Sequence, residues 1–137
     1  MVGNILCELI RGLAYMSFID YTQKGSPMQP RKRQVLHYVS DSGVDVYKEW
    51  LDALKDVRGR AAILKRIDRV EVGLFGDHRY VGEGVWELRI DFGPGYRVYY
   101  GEAGSVIVLL LSGGDKGTQK RNIRQAHEFW ADYRRSK

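Results

Sequence analysis

The stretch "ELRIDFGPGYRVYY", Glu87 to Tyr100, constrains the fold of this chain more than any other. Side chains alternate across a strand, so Trp86, Leu88, Ile90 and Phe92 face one way while Glu87, Arg89 and Asp91 face the other. On the returning segment Tyr96, Val98 and Tyr100 alternate with Arg97 and Tyr99. Read as a hairpin closed by the three-residue loop Gly93-Pro94-Gly95, the sequence predicts the pairs Phe92–Tyr96, Asp91–Arg97, Ile90–Val98 and Arg89–Tyr99. In that register apolar meets apolar and polar meets polar. Asp91 and Arg97 then form a cross-strand ion pair worth about 0.2–1 kcal/mol. Arg89, placed beside an aromatic ring, is left with no structural role.

The flanking sequence supplies the rest of a layered domain. "RQVLHYV", 33–39, reads as a first strand. After the break at Asp41-Ser42-Gly43, Tyr47, Trp50, Leu51 and Leu54 fall on one stripe of a helix. A second helix over about 57–72 is expected to bury Val57, Ala61, Leu64, Ile67 and Val70. Strands are predicted at about 86–92, 96–100 and 105–111, and the last, "SVIVLLL", is apolar on both sides, as a central strand requires. "GGDKGT" reads as a sharp turn with Thr118 as helix N-cap. It lacks the spacing of a phosphate-cradling loop. A final helix over about 118–134 carries Ile123, Ala126, Trp130 and Tyr133. The predicted order is strand, helix, helix, three strands, helix.

At 137 residues and 44% hydrophobic, the chain suits one compact domain. The turn-rich "QKGSP" marks residues 1–27, with a short helix over 5–19, as an N-terminal extension to a domain of 28–137. The net charge of +5 is unevenly placed. Residues 55–69 hold six Lys/Arg against two Asp/Glu and residues 116–137 hold seven against two, whereas 70–115 hold three against seven. Two basic segments flanking an acidic middle point to an anionic partner. On the second helix Arg58, Lys65 and Arg69 share a side, with Lys55, Arg60 and Arg66 nearby. Such a face is either merely solvated or a nucleic-acid contact. A single cysteine, Cys7, excludes an intrachain disulfide and fits a cytoplasmic location. No apolar run approaches the roughly 20 residues of a membrane span. His37 and His78 read as surface or sheet residues and His127 lies one position from the packed stripe of the last helix; no His, Asp or Glu cluster has metal-ligand spacing, so no metal and no cofactor are expected. Two guanidiniums and a phenol on a sheet face suit RNA, whose phosphates are gripped by Arg and Lys and whose bases stack on Tyr or guanidinium planes.

The runs "RIDR", "VGEGVWELRIDFGPGYRVYY" and "LLLSGGDKGTQ", within a match from about Gln34 to Tyr133, resemble the addiction-module killer proteins of the RelE/ParE superfamily, in its HigB-like, phage-related branch. The resemblance implies an α/β (α+β) RelE-like fold, a small twisted antiparallel sheet with an N-terminal helical pair and a C-terminal helix. It implies the toxin of a type II toxin–antitoxin system, neutralised by a cognate antitoxin of helix-turn-helix, HigA-like type, with operator DNA met only through that antitoxin. Many RelE- and HigB-like members are mRNA interferases that cut message in the ribosome and so inhibit translation, whereas ParE-like members poison DNA gyrase. A non-catalytic antitoxin- or RNA-binding module is the third possibility. Fold alone does not choose among them.

Metal-independent RNA cleavage requires a 2′-OH to lose its proton and attack phosphorus, and the charge on the phosphorane to be stabilised. The resemblance places Arg89 and Lys116 at that charge, with Tyr99 as stacking platform or proton carrier. It gives Arg97 a phosphate-contacting role, and the basic side of the second helix adds Lys55, Arg58, Lys65 and Arg69 as RNA-binding candidates. The last helix lacks the early tyrosine with which some relatives help activate the 2′-OH, and Tyr133 is expected in the core.

Overall fold

The computed structural model describes residues 30–137. The expected extension over 1–27, with its helix over 5–19, lies outside the described residues. Over the described residues the order is β1 (Gln34–His37), α1 (Val46–Ala53), α2 (Val57–Glu71), β2 (His78–Tyr80), β3 (Val85–Ile90), β4 (Tyr96–Ala103), β5 (Ile107–Asp115), a single 3-10 turn (Lys116–Thr118) and α3 (Gln119–Arg135). The fold is mixed α/β, with three helices and a five-stranded sheet in the order β1-β5-β4-β3-β2. The expected antiparallel sheet holds from β2 to β5, but β1 runs parallel to β5 and makes the sheet mixed. A parallel pair needs a long crossover. Here it is the whole of α1 to β4, which no local pattern announces. Strand β2 escaped the sequence reading because its three residues are all exposed and show no alternation.

Both helices of the first pair begin at an aspartate. The Asp45 carboxylate accepts from the Lys48 backbone N–H at 3.0 Å, and Asp56 accepts from Gly59 N–H at 2.9 Å. The α1 stripe is as expected, with Tyr47 and Leu51 buried and Trp50 and Leu54 packed beside them. The α2 stripe is as expected at Ile67 and Val70 but not before them. Val57 and Leu64 are 65% and 47% exposed, while Gly59, Ile63, Ile67 and Val70 face the sheet. The Asp56 cap sets this phase: its second oxygen accepts the Tyr96 hydroxyl at 2.7 Å, which draws the first turn of α2 against β4.

The hairpin register also differs from expectation, by two positions. The pairs are Ile90–Tyr96, Arg89–Arg97, Leu88–Val98, Glu87–Tyr99 and Trp86–Tyr100. Asp91 is outside the strand, so its predicted ion pair with Arg97 is replaced by a loop from Asp91 to Gly95. The loop turns on Gly93 (φ 56°) and Gly95 (φ 87°), a left-handed backbone that disfavours any residue with a Cβ. A slip of two preserves every face assignment, since the side-chain period is two.

Strand β5 runs on through Gly113 and Gly114, which the sequence reading had turned away from the sheet. A Cβ on Gly113 would lie 2.2 Å from Trp50, and one on Gly114 would lie 2.0 Å from the Asn122 carbonyl oxygen. These glycines let a helix sit tightly on each face. The core accordingly has two parts. Tyr47, Leu51, Ile63, Ile67, Leu88, Val98, Tyr100 and Leu110 fill the layer under α1 and α2, and Tyr38, Val85, Tyr99, Leu109, Leu111, Ala126 and Trp130 fill the layer under α3. Phe129 and Tyr133 pack on the second layer. No helix among the described residues is long and apolar enough to cross a membrane.

Candidate functional site

Helix α3 covers only part of its sheet face. Beyond its first residues the same alternate positions of β3 and β4 carry Glu87, Arg89 and Arg97, and the face becomes polar. A cleft of about 330 Å³ opens there, lined by Asp77, Arg89, Asp91, Arg97, Lys116 and the Gly93–Gly95 turn. Three residues chosen from the sequence, Arg89, Arg97 and Lys116, therefore come together. Gly95 shows how closely: a Cβ on it would lie 3.5 Å from Arg97 Nη1 and 3.6 Å from Lys116 Cβ.

Lys116 is held by its neighbours in the 3-10 turn. The Asp115 carboxylate accepts from Gly117 N–H at 2.8 Å, and Asp115 N–H donates to Thr118 Oγ1 at 3.2 Å. Thr118 Oγ1 in turn donates to Asn122 Oδ1 at 2.5 Å, beneath Gly114. Thr118 thus stands at the start of α3 without capping it by its own side chain. Its hydroxyl serves the turn instead.

Glu87 does not line the cleft; it lies fully buried next to the two arginines that do. Its Oε2 accepts the Tyr99 hydroxyl at 2.9 Å and the Gln119 amide at 2.7 Å. Three guanidiniums surround the carboxylate: Arg79 Nε at 3.8 Å, Arg89 Nε at 3.9 Å and Arg97 Nε at 3.9 Å. Arg97 also donates from Nη1 to the Tyr96 carbonyl at 3.1 Å.

Tyr99 does not take the role assigned to it from sequence. The residue is fully buried, so no base can stack on its ring. Burial first, then the charge and hydrogen bond of Glu87, push its phenol far above the ordinary tyrosine range. It stays protonated and donates inward, which disqualifies it as a proton carrier for a substrate. Lys55, Arg58, Lys65 and Arg69 are all exposed, but α1 and α2 pack on the opposite sheet face from Arg89 and Arg97. Lys55 and Arg58 flank Asp56, whose carboxylate lies near Gly93, so they adjoin the back of the hairpin loop. Lys65 and Arg69 lie about two and three turns further along α2. Arg60 and Arg66 are structural: Arg60 donates to the Leu54 carbonyl at 2.6 Å, and Arg66 to the Asp77 carbonyl at 3.2 Å.

Sequence reasoning missed Glu87, Arg79 and Gln119. Glu87 was on the correct face, but the register was slipped, and only the true one sets Arg79 and Tyr99 on either side of it. A second, larger groove of about 650 Å³ lies toward the far end of α3, between Trp86, Glu102, Trp130 and Tyr133. It contains none of the candidate site residues; Arg134 and Lys137 line it beside Glu102, whereas the smaller cleft gathers Arg89, Arg97 and Lys116 beside Asp77 and Asp91. Among the described residues no three His, Cys, Asp or Glu side chains gather as a metal site.

The chain is 50% identical over 80 residues to a protein of Haemophilus influenzae (strain ATCC 51907 / DSM 11121 / KW20 / Rd) described as an uncharacterized protein. The match spans 58% of this chain and 81% of that protein. The chain belongs to that protein's family. No family model matches it.

Proposed function

We propose that this protein is the toxin of a type II toxin–antitoxin pair, with a RelE-like fold in the HigB-like branch of the RelE/ParE superfamily. It acts in the cytoplasm as a metal-independent endoribonuclease on ribosome-bound mRNA. A cognate HigA-like antitoxin silences it. The observation that carries this reading is the meeting of Arg89, Arg97 and Lys116 in one cleft. Three cations around a space of that size suit a phosphodiester, and they act most strongly on the charge that develops as the 2′-oxygen attacks phosphorus. Arg89 and Lys116 face that charge from two sides of the hairpin turn. Arg97 is less exposed and supports them from the sheet.

Primer-extension mapping of cellular mRNA after induction should reveal new ends within translated codons. Arg89→Ala and Lys116→Ala should each abolish growth arrest while leaving antitoxin binding intact. Growth arrest with an unchanged transcript pattern would refute the message as target, and inhibition of purified gyrase in a supercoiling assay would replace it with the gyrase reading. Unaltered toxicity in both variants would refute the cleft.

A further inference from the structure

We propose that Glu87 is a positioning residue, a buried carboxylate that holds the Arg89 and Arg97 guanidiniums side by side so that both meet one phosphodiester. The proposal rests on the phosphoester reading of the cleft and specifies what keeps that cleft in order.

The register shows why such a residue is needed. Arg89 and Arg97 are directly opposite each other on adjacent antiparallel strands, a placement in which like charges repel. Left alone, the two would swing apart into solvent. Glu87 is the remedy: it shares a face with Arg89 two residues back along β3, lies diagonal to Arg97, and pairs directly with Arg79 of β2 and Tyr99 of β4.

The carboxylate is itself fixed. Its Oε2 takes both short hydrogen bonds, from Tyr99 and from Gln119 at the first residue of α3. The guanidiniums stay at 3.8–3.9 Å, beyond hydrogen-bond length. Their mutual repulsion is therefore reduced without a donor spent on the carboxylate, although Arg97 donates from Nη1 to the Tyr96 carbonyl. Glu87 Oε1 and Arg97 Nε are buried with no hydrogen-bond partner among the described residues. Donors not spent on the fixed counter-charge are what an arginine grip on phosphate requires, and Arg89, 37% exposed, offers them most openly.

A purely structural Glu87 and a positioning Glu87 predict opposite signs. Removing an acid from beside a basic cleft raises its positive potential, and by field alone should tighten anion binding. If Glu87 organises the arginines, its loss weakens binding despite the added net charge.

The test is titration of the isotope-labelled full chain with inorganic phosphate, following the arginine Nε–H signals by NMR. In the unmodified protein the Arg89 and Arg97 signals should move together. Glu87→Gln should weaken phosphate binding about tenfold, the loss of one charge-assisted contact, and uncouple the two signals. Asp91→Asn removes an exposed acid from the rim of the same cleft and should tighten binding. Equal or tighter binding by Glu87→Gln would overturn the proposal, and so would silent Arg89 and Arg97 signals in the unmodified protein. Should Glu87→Gln fail to fold, Gln119→Ala decides instead: it removes one of the two hydrogen bonds on Oε2 from a half-buried position and should weaken phosphate binding about twofold to threefold. Unchanged affinity there overturns the proposal. Transcript mapping is scored separately: absent mRNA cleavage beside these phosphate results removes the message as target and leaves the role of Glu87 standing.

Discussion

The two halves of the sheet face beneath α3 are built from the same strands with the same alternation, yet one is core and the other is a polar cleft. Over the first half Val85, Leu109 and Leu111 lie under Ala126 and Trp130. Over the second, Glu87, Arg89 and Arg97 follow in the same rows. What separates them is where α3 begins. Its first residue, Gln119, hydrogen-bonds Glu87, so the helix starts at the boundary and the strands continue past it. Tyr99 belongs to both halves, with its ring in the apolar layer and its hydroxyl on Glu87. Alternation decides which face a side chain takes. The reach of the covering helix decides whether that face is buried.

The largest expected effect is on the apolar half. Trp130 packs on glycine backbone: a Cβ on Gly84 or Gly101 would lie 2.4 or 2.3 Å from its indole. Trp130→Ala should therefore cost about 3–5 kcal/mol in urea unfolding, since the close-fitting strands cannot collapse fully into the space. Gly101→Ala probes the same contact from beneath and should cost about 1–3 kcal/mol by overpacking. A loss below about 0.5 kcal/mol in either, the range of an ordinary surface change, would mean that α3 does not pin the apolar half and that the boundary at Gln119 is not fixed.

A pH effect of intermediate size follows from the phenols. Tyr38 donates to Asp132 of α3, and burial together with that carboxylate pushes it up to about 12. Tyr96, bonded to Asp56, is also raised to about 12, first by that hydrogen bond and then by burial. A phenol whose pKa is raised in the folded state contributes stability that is fully present below about pH 10, the ordinary tyrosine value, and is lost as the pH climbs through 12. Alkaline unfolding by circular dichroism should coincide with a cooperative rise in phenolate absorbance. Titration of these tyrosines well before unfolding would show that the layers under the helices are wetter than the packing implies.

Much of the fold was legible because it rests on periodicity. The α1 stripe, the internal position of β5 and the two faces of the hairpin follow from spacing alone. The parallel β1–β5 pair and the exposed β2 were not, since a crossover and a short edge strand leave no periodic mark. The α2 stripe failed before Ile67 because the reading began it at Val57, whereas the Asp56–Tyr96 bond fixes the first turn from outside the helix. At the candidate site, Arg89, Arg97 and Lys116 were chosen through the family resemblance, and the fold brings them into one cleft. Glu87 was not chosen, because a slip of two residues leaves faces intact while it changes every partner. Tyr99 was misread for the same reason: opposite Arg89 it looked like a platform, and opposite Glu87 it is a buried donor.

The smallest expected effect on stability, and the one that sharpens the contrast most, is at Arg89. Its side chain is 37% exposed and its contact with Glu87 is 3.9 Å, so solvent screens most of that attraction. Arg89→Ala also removes the like charge opposite Arg97, which offsets the lost ion pair. The two changes should nearly cancel, leaving urea stability within about 0.5 kcal/mol of the parent. Phosphate binding should nonetheless fall by about tenfold or more, because a charge-assisted contact is gone. A residue that contributes nothing to stability yet governs anion binding is what a functional half of the face requires. If Arg89→Ala instead lowers stability by more than about 1.5 kcal/mol, well outside the surface range, the guanidinium is part of the scaffold and the two halves differ in polarity alone.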